Sequence, residues 1–78
     1  MTFEGIFKIP KGHTLKKVRE KLKTFDDDWT HEEYDSQGRL VARYESWDYR
    51  APRTRHSSGW RKLSADGTLL ENHHDLPL

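Results

Sequence analysis

Tyr34-Asp35-Ser36-Gln37-Gly38-Arg39-Leu40 and Leu63-Ser64-Ala65-Asp66-Gly67-Thr68-Leu69 are the two stretches that decide the fold of this 78-residue chain. Each places a three-residue polar loop that ends in glycine between residues suited to strands. Three-residue hairpin loops commonly end in the left-handed backbone region, which glycine adopts without steric cost. The sequence therefore predicts two β-hairpins.

The first hairpin also resembles a known repeat. Residues 34–41 are similar to a unit of the YD-repeat (Rhs-type) β-shell proteins, whose repeats run roughly Tyr-Asp-x-x-Gly-Arg-Leu. The second hairpin departs from that pattern, with Leu63 in place of the tyrosine and Thr68 in place of the arginine. YD-repeat shells need many consecutive units, so the resemblance supports the hairpin and carries no function to this chain.

The loops at residues 36–38 and 65–67 fix which residues face each other. The predicted pairs are Tyr34–Leu40, Glu32–Ala42 and Thr30–Tyr44 in the first hairpin, and Leu63–Leu69, Lys62–Leu70, Arg61–Glu71 and Trp60–Asn72 in the second. Side chains alternate along a strand, so Leu40, Ala42 and Tyr44 are expected on the core side. A bulge near Ser46 would bring Trp47 and Tyr49 to that side as well.

Two further elements are predicted before the hairpins. Residues 3–9 alternate apolar and other side chains, which is typical of a strand. Thr14 can begin a helix, and Leu15, Val18, Leu22 and Phe25 follow at spacings of three, four and three. That spacing predicts an amphipathic helix over residues 14–25. Asp26-Asp27-Asp28 is interpreted as a turn.

These elements predict a single domain over residues 1–78 in the order β-α-β-β-β-β. The fold class is α+β, an antiparallel β-meander with one amphipathic helix packed across one face. Residues 49–59 lack periodicity and any acidic side chain, which indicates a loop. Residues 75–78 are expected to be a frayed tail.

Composition narrows the class of protein. The chain has no cysteine, which excludes disulfides and thiolate metal sites. No apolar run approaches the roughly 20 residues of a membrane span, so we expect a soluble, cytoplasmic protein. The net charge is +1, but residues 1–24 carry +5, residues 25–48 carry −6 and residues 49–78 carry +2. Such segregation suits internal pairing or separate binding faces.

The strongest functional candidate is the basic and aromatic segment around the predicted loop. Its proposed site residues are Trp47, Tyr49, Arg50, Arg53, Arg55, His56, Trp60, Arg61 and Lys62. Basic side chains neutralise phosphates and aromatic faces stack bases, which suits single-stranded RNA or DNA. Arginine also matches carboxylates bidentately, so an acidic protein is an equal partner. The alternative is that the tryptophans belong to the core and the arginines are solvated.

Other functions are weaker predictions. A homodimer without nucleic acid is one alternative, and a toxin-like ribonuclease using His56 and its neighbouring arginines is another. The lysine-rich outer side of the predicted helix is a second possible surface for an anionic partner, although the solvated face of an amphipathic helix explains the same residues. The acidic residues of 26–35 lack the alternating ligands of a calcium loop, and the five histidines lack metal-ligand spacing. The glycines are isolated, which excludes a glycine-rich phosphate-binding loop. From these patterns together we expect no cofactor, no metal and no catalytic residue.

Overall fold

The computed structural model describes residues 2–23, 26–49 and 57–74, with the side chain of His74 left aside. One helix and five strands follow in chain order: α1 (Phe3–Phe7), β1 (Thr14–Leu22), β2 (Asp26–Tyr34), β3 (Leu40–Tyr49), β4 (Ser57–Ser64) and β5 (Leu69–His74). All neighbouring strands are antiparallel, and the spatial order is the sequence order, β1-β2-β3-β4-β5. The predicted meander is therefore confirmed, as one five-stranded antiparallel sheet with a short N-terminal helix.

Both predicted hairpin turns are confirmed. Gly38 and Gly67 have φ angles of 79° and 93°, so both require the left-handed conformation that favours glycine. In the first turn, the carboxylate of Asp35 accepts hydrogen bonds from the backbone N–H of Gln37 and of Arg39, at 2.9 and 3.0 Å. In the second, Ser64 accepts a 2.9 Å bond from the N–H of Gly67 through its carbonyl. Local polar chemistry therefore sets both reversals.

The register beyond each turn differs from the prediction by one residue. The pairs nearest the turns, Tyr34–Leu40 and Leu63–Leu69, are confirmed. Immediately afterwards a bulge shifts the register of each hairpin, in β3 at Val41 and in β5 at Leu70. The bulge expected near Ser46 is wrong, because the pairing of β3 with β2 is regular from Ala42 to Tyr49, and Trp47 and Tyr49 therefore stay on the face opposite Tyr44. The predicted pairs Glu32–Ala42, Thr30–Tyr44, Lys62–Leu70, Arg61–Glu71 and Trp60–Asn72 are wrong.

The observed pairs exchange the two faces of β2. Glu33 pairs with Ala42 and His31 pairs with Tyr44, whereas Glu32 pairs with Arg43. A one-residue shift moves every side chain of a strand to the opposite face. The carboxylate that enters the interior is therefore that of Glu33 and not that of Glu32.

The predicted helix over residues 14–25 is wrong. Thr14–Leu22 form β1, and Phe25 lies outside the described residues. A bulge between Lys17 and Arg19 leaves Val18 without a partner in β2. This extra residue shifts the alternation of side chains by one, so the two-residue period of a strand cannot be recognised in the sequence of β1. Residues Asp26–Asp28 are likewise not a turn but the first residues of β2. β1 is mainly basic and the neighbouring β2 is mainly acidic, and this opposite charge favours the pairing of the two strands.

The predicted strand over residues 3–9 is also wrong, because Phe3–Phe7 form α1. The hydroxyl oxygen of Thr2 caps this helix by accepting a 3.2 Å hydrogen bond from the backbone N–H of Gly5. Phe3 and Phe7 are four residues apart and so lie on one side of the helix. Lys8 adopts a left-handed conformation with φ 55° and ends it.

The sheet has two faces of different character. The helix-side face carries Trp29, His31, Ala42, Tyr44 and Trp60, and α1 contacts it through both phenylalanines. Phe7, Ala42, Tyr44 and Trp60 are the buried hydrophobic core, with Phe3, Ile6, Ile9 and Leu15 packed against it. The opposite surface, here called the open face, carries alternating charges and polar groups.

Candidate functional site

The proposed site residues fall on both faces of the sheet. Trp60 and Lys62 lie on the helix-side face, where they pair with Ser46 and Tyr44. Trp47, Tyr49 and Arg61 lie on the open face, since they occupy the alternate positions of β3 and β4. The remaining four site residues, Arg50, Arg53, Arg55 and His56, lie outside the described residues. The ends of the predicted 49–59 loop, Tyr49 and Ser57–Gly59, belong to strands.

On the helix-side face, Trp60 belongs to the core. It is 8% exposed, and its ring lies 5.1 Å from that of Phe7 and 4.2 Å from that of His73. The ammonium of Lys62 lies 5.8 Å from the centroid of the Tyr44 ring. The geometry therefore assigns Trp60 to packing, as the alternative interpretation of the sequence anticipated.

On the open face, the aromatic and basic site residues contact each other. The guanidinium of Arg61 lies 5.3 Å from the centroid of the Trp47 ring and 3.2 Å from a carboxylate oxygen of Glu45. Tyr49 donates a 2.8 Å hydrogen bond from its hydroxyl to the carboxylate of Asp28, and this bond raises the pKa of Tyr49. A cation held against an indole, beside a phenol, is a surface that can bind planar or anionic groups.

Two cations from β1 complete this surface. Arg19, Thr30, Glu45 and Arg61 form one row across four strands, and Lys21 pairs with Asp28 in the adjacent row. The side chains of these residues, here called the cation site of the open face, surround a depression of about 230 Å³ that Trp29 and Ser46 also line.

Sequence reasoning left Arg19 and Lys21 out of the proposed site because it placed them on the outer side of a helix, as part of a separate basic surface. Their spacing of two residues is the signal that could have found them, since residues i and i+2 of a strand share a face. The depression is mixed in charge, because the carboxylates of Asp28 and Glu45 also line it. An anion bound here would have to displace Glu45 from Arg61, an exposed ion pair that contributes little stability.

A second cluster of titratable groups is buried under the helix side of the sheet. Glu33 is 3% exposed, and Tyr44, 1% exposed, donates a 2.6 Å hydrogen bond to its carboxylate. The ring Nδ1 of His13 contacts the other carboxylate oxygen. Burial, together with the Glu33 hydrogen bond, raises the pKa of Tyr44, so its hydroxyl remains a donor. With each carboxylate oxygen engaged by the protein, this cluster fixes the loop before β1 rather than presenting a reactive group.

His31 is the other buried titratable group. It lies between the rings of Phe3 and Phe7, at centroid distances of 4.3 and 5.7 Å, and is 3% exposed. Burial, with the positive charge of Lys17, lowers the pKa of His31 from its ordinary value of 6.5. The folded protein therefore holds this imidazole neutral at a pH where the unfolded chain protonates it.

A pH-dependent stability follows from His31. Below about pH 6.5 the unfolded state binds a proton that the folded state does not, so stability falls as pH decreases, by at most about 1.4 kcal/mol per pH unit. Replacement of His31 by phenylalanine should remove this component and flatten the profile below about pH 6.5. Urea unfolding across that range measures it, and parallel profiles for the two proteins would contradict the assignment.

Other kinds of site find no support in the described part of the chain. Within residues 2–23, 26–49 and 57–74, no group of three histidine, aspartate or glutamate side chains is arranged to hold a metal ion. Over the same residues, no helix has the length and apolarity needed to cross a membrane.

No protein-family model matches the chain, and no curated protein or solved structure is significantly similar to it.

Proposed function

We propose that this protein is a small non-catalytic binding module that contacts single-stranded nucleic acid through its open face. The observation that carries the proposal is the convergence of Arg19, Lys21 and Arg61 on one depression beside Trp47. Cations neutralise the phosphate backbone, and unstacked bases pack on aromatic rings or on guanidinium planes. A paired Arg61–Trp47 unit offers both kinds of surface.

The sequence next to this surface supports the same partner. Tyr49 ends β3 and Ser57 begins β4, and the seven residues that join them include Arg50, Arg53 and Arg55 but no acidic residue. The structure of these seven residues lies outside the described part of the chain, but in sequence they directly join the strands that carry Trp47 and Arg61. Their arginines would add positive charge for an anionic partner, and the acidic groups of Asp28 and Glu45 would keep the affinity modest.

The test is binding of a labelled single-stranded RNA of about 12 nucleotides, followed by fluorescence anisotropy at about 50 and about 200 mM salt. The double variant Arg19→Glu/Arg61→Glu should weaken binding about tenfold or more and reduce the salt slope by about one for each lost phosphate contact. Arg39→Glu is the matched control for each of the single variants Arg19→Glu and Arg61→Glu, because it makes the same charge change as one of them in the first turn, where the side chain of Arg39 is 75% exposed.

The possible outcomes separate the alternatives. Equal losses in the double variant and in Arg39→Glu, or no binding at the lower salt, would refute the open face as the interface. Competition by a polyglutamate peptide at lower concentration than by RNA would assign the surface to an acidic protein. Recovery of shortened RNA would instead favour the ribonuclease, and His56→Ala should then abolish the cleavage.

A homodimer is the second candidate, because both outer strands expose apolar side chains. Val18 and Leu22 of β1 are 45% and 62% exposed, and Leu69 and Leu70 of β5 are 51% and 54% exposed. Edge strands of this kind can pair with a second copy. Light scattering should then give a mass that rises with concentration, whereas 9.3 kDa at every concentration excludes the dimer.

A further inference from the structure

A cavity of about 200 Å³ lies on the helix-side face, between α1 and the ends of β3 and β4. Its walls are mainly aromatic, with Phe3, Ile6 and Phe7 of the helix on one side and Trp29 and Trp60 of the sheet on the other. Trp47 also lines it, and two of its lining residues, Trp29 and Ser46, border the depression of the open face as well, on the other surface of the sheet.

The sheet leaves this space because a small residue stands between two large ones. Trp29, Ser46 and Trp60 occupy one row across β2, β3 and β4. Neighbouring strands lie about 4.8 Å apart, so the two tryptophans are attached about 10 Å apart, on either side of a serine. The five residues of α1 extend only about 7.5 Å along the helix axis, which is too short to fill the gap.

The hydroxyl of Ser46 is the polar group of the cavity that lacks a partner. Ser46 is 7% exposed, and its Oγ makes no hydrogen bond within the described part of the chain. A buried hydroxyl without a partner is costly, since water no longer satisfies it. Binding sites for small molecules typically combine apolar walls with a few polar groups that fix orientation. Ser46 has the position and the unused capacity for that role.

The size and chemistry of the cavity restrict its ligand. A cavity of about 150 Å³ accommodates benzene, whereas drug-sized ligands need about 300 Å³ or more. Among the described residues that line it, none is a lysine, arginine or histidine, which disfavours an anion. Aromatic walls favour a planar ring, which can stack or meet them edge to face.

We propose that this cavity binds a small uncharged aromatic molecule, with its ring between Trp29 and Trp60 and one hydrogen-bonding substituent on the hydroxyl of Ser46. The ligand class is a phenol or an indole, one or two rings in size. This proposal does not depend on the nucleic-acid proposal, because it invokes the aromatic walls and the hydroxyl of Ser46 and not the cations Arg19, Lys21 and Arg61, so either proposal can fail without the other.

The experiment is an NMR titration of the ¹⁵N-labelled full chain with phenol and, separately, with benzene. Phenol should cause saturable shifts in the indole N–H signals of Trp29 and Trp60 and in the amide of Ser46. The amide of Gly67, in the second turn, serves as the internal reference and should not move. Phenol should bind about threefold to tenfold more tightly than benzene, which is the worth of one hydrogen bond.

Two substitutions of Ser46 distinguish the contribution of its hydroxyl to binding from that of the empty volume of the cavity. Ser46→Ala should bind benzene as before and lose the preference for phenol, whereas Ser36→Ala, an exposed serine of the first turn, should keep it. Ser46→Leu should fill the cavity and abolish binding of both probes. If Ser46→Leu does not fold, Ile6→Trp closes the cavity from the helix instead.

Three results would overturn the proposal. The first is a folded protein that gives no saturable shift with either probe. The second is an unchanged preference for phenol in Ser46→Ala. The third is tighter binding of tetramethylammonium than of phenol, since the carboxylate of Asp48 also lines the cavity and an aromatic cage with an acidic group selects cations.

Discussion

Replacement of Phe7 by alanine is expected to lower the free energy of unfolding by about 3–5 kcal/mol. Phe7 is 5% exposed, and its ring stacks on Tyr44 at 4.3 Å and meets Trp60 at 5.1 Å. It is the buried side chain through which α1 contacts the sheet. A chain of this size has only a few kcal/mol of stability in total, so a large fraction of the variant should be unfolded at room temperature.

Urea unfolding followed by circular dichroism and tryptophan fluorescence measures this effect. Phe3→Ala is the matched control, because Phe3 lies on the same side of α1 but is only half-buried, and it should cost clearly less. A loss of under about 1 kcal/mol for Phe7→Ala would mean that α1 is not held against the sheet in solution.

Replacement of Glu33 by alanine is expected to have the second large effect, a loss of about 3–5 kcal/mol of stability. Glu33 is buried, and both of its carboxylate oxygens are engaged, by the hydroxyl of Tyr44 and by the ring of His13. Truncation would leave the buried hydroxyl of Tyr44 and the partly exposed ring of His13 without this partner, in addition to a cavity.

Glu32 provides a closely matched control. Glu32 is the adjacent residue, so the same substitution can be made there, on the open face. Its carboxylate accepts a 2.8 Å hydrogen bond from the hydroxyl of Tyr34 and lies 3.3 Å from the guanidinium of Arg43. Glu32→Ala should cost less than about 1 kcal/mol, because a surface ion pair contributes little. The same chemical denaturation experiment decides the matter. Equal losses, or a larger loss for Glu32→Ala, would contradict the observed register and favour the unbulged one.

Glu32 and Glu33 also show which features of the fold could be predicted from the sequence and which could not. Both turns could be predicted because Gly38 and Gly67 carry their own signal, a backbone conformation that other residues rarely adopt. The bulges at Val41 and Leu70 could not, because nothing in a Leu-Val or Leu-Leu pair marks an unpartnered residue. One such residue moves the side chains of the strand to the opposite faces. The turns were therefore predicted correctly, but Glu32 was placed in the core instead of Glu33.

The exchange of helix and strand at the N-terminus has a different cause. Residues 14–22 are rich in leucine, lysine, arginine and glutamate, which have high helix propensity, yet they form β1 because β2 offers an acidic strand to pair with. Tertiary context overrides propensity here. Residues 3–7 are too short to show a helical period, and only the Thr2 cap and the spacing of Phe3 and Phe7 indicate α1.

The site was predictable in part for the same reasons. Trp47, Tyr49 and Arg61 were identified from composition, and the structure places them together on the open face. Arg19 and Lys21 reach that surface from a strand more than 25 residues earlier, so only the pairing of β1 with β2 reveals them. The cavity beside Ser46 left no mark in the sequence, because it is a space between elements and not a pattern along one.

The sequential strand order has a kinetic consequence. Each strand pairs with the strand immediately before or after it, so no long loop must close before the sheet can form. A sheet built from sequence neighbours folds faster than one that needs long crossovers, and individual hairpins form in about 1–10 μs. The aromatic platform for α1 exists only after β3 and β4 have joined. We therefore expect the helix to dock late, with Phe7→Ala accelerating unfolding far more than it slows refolding.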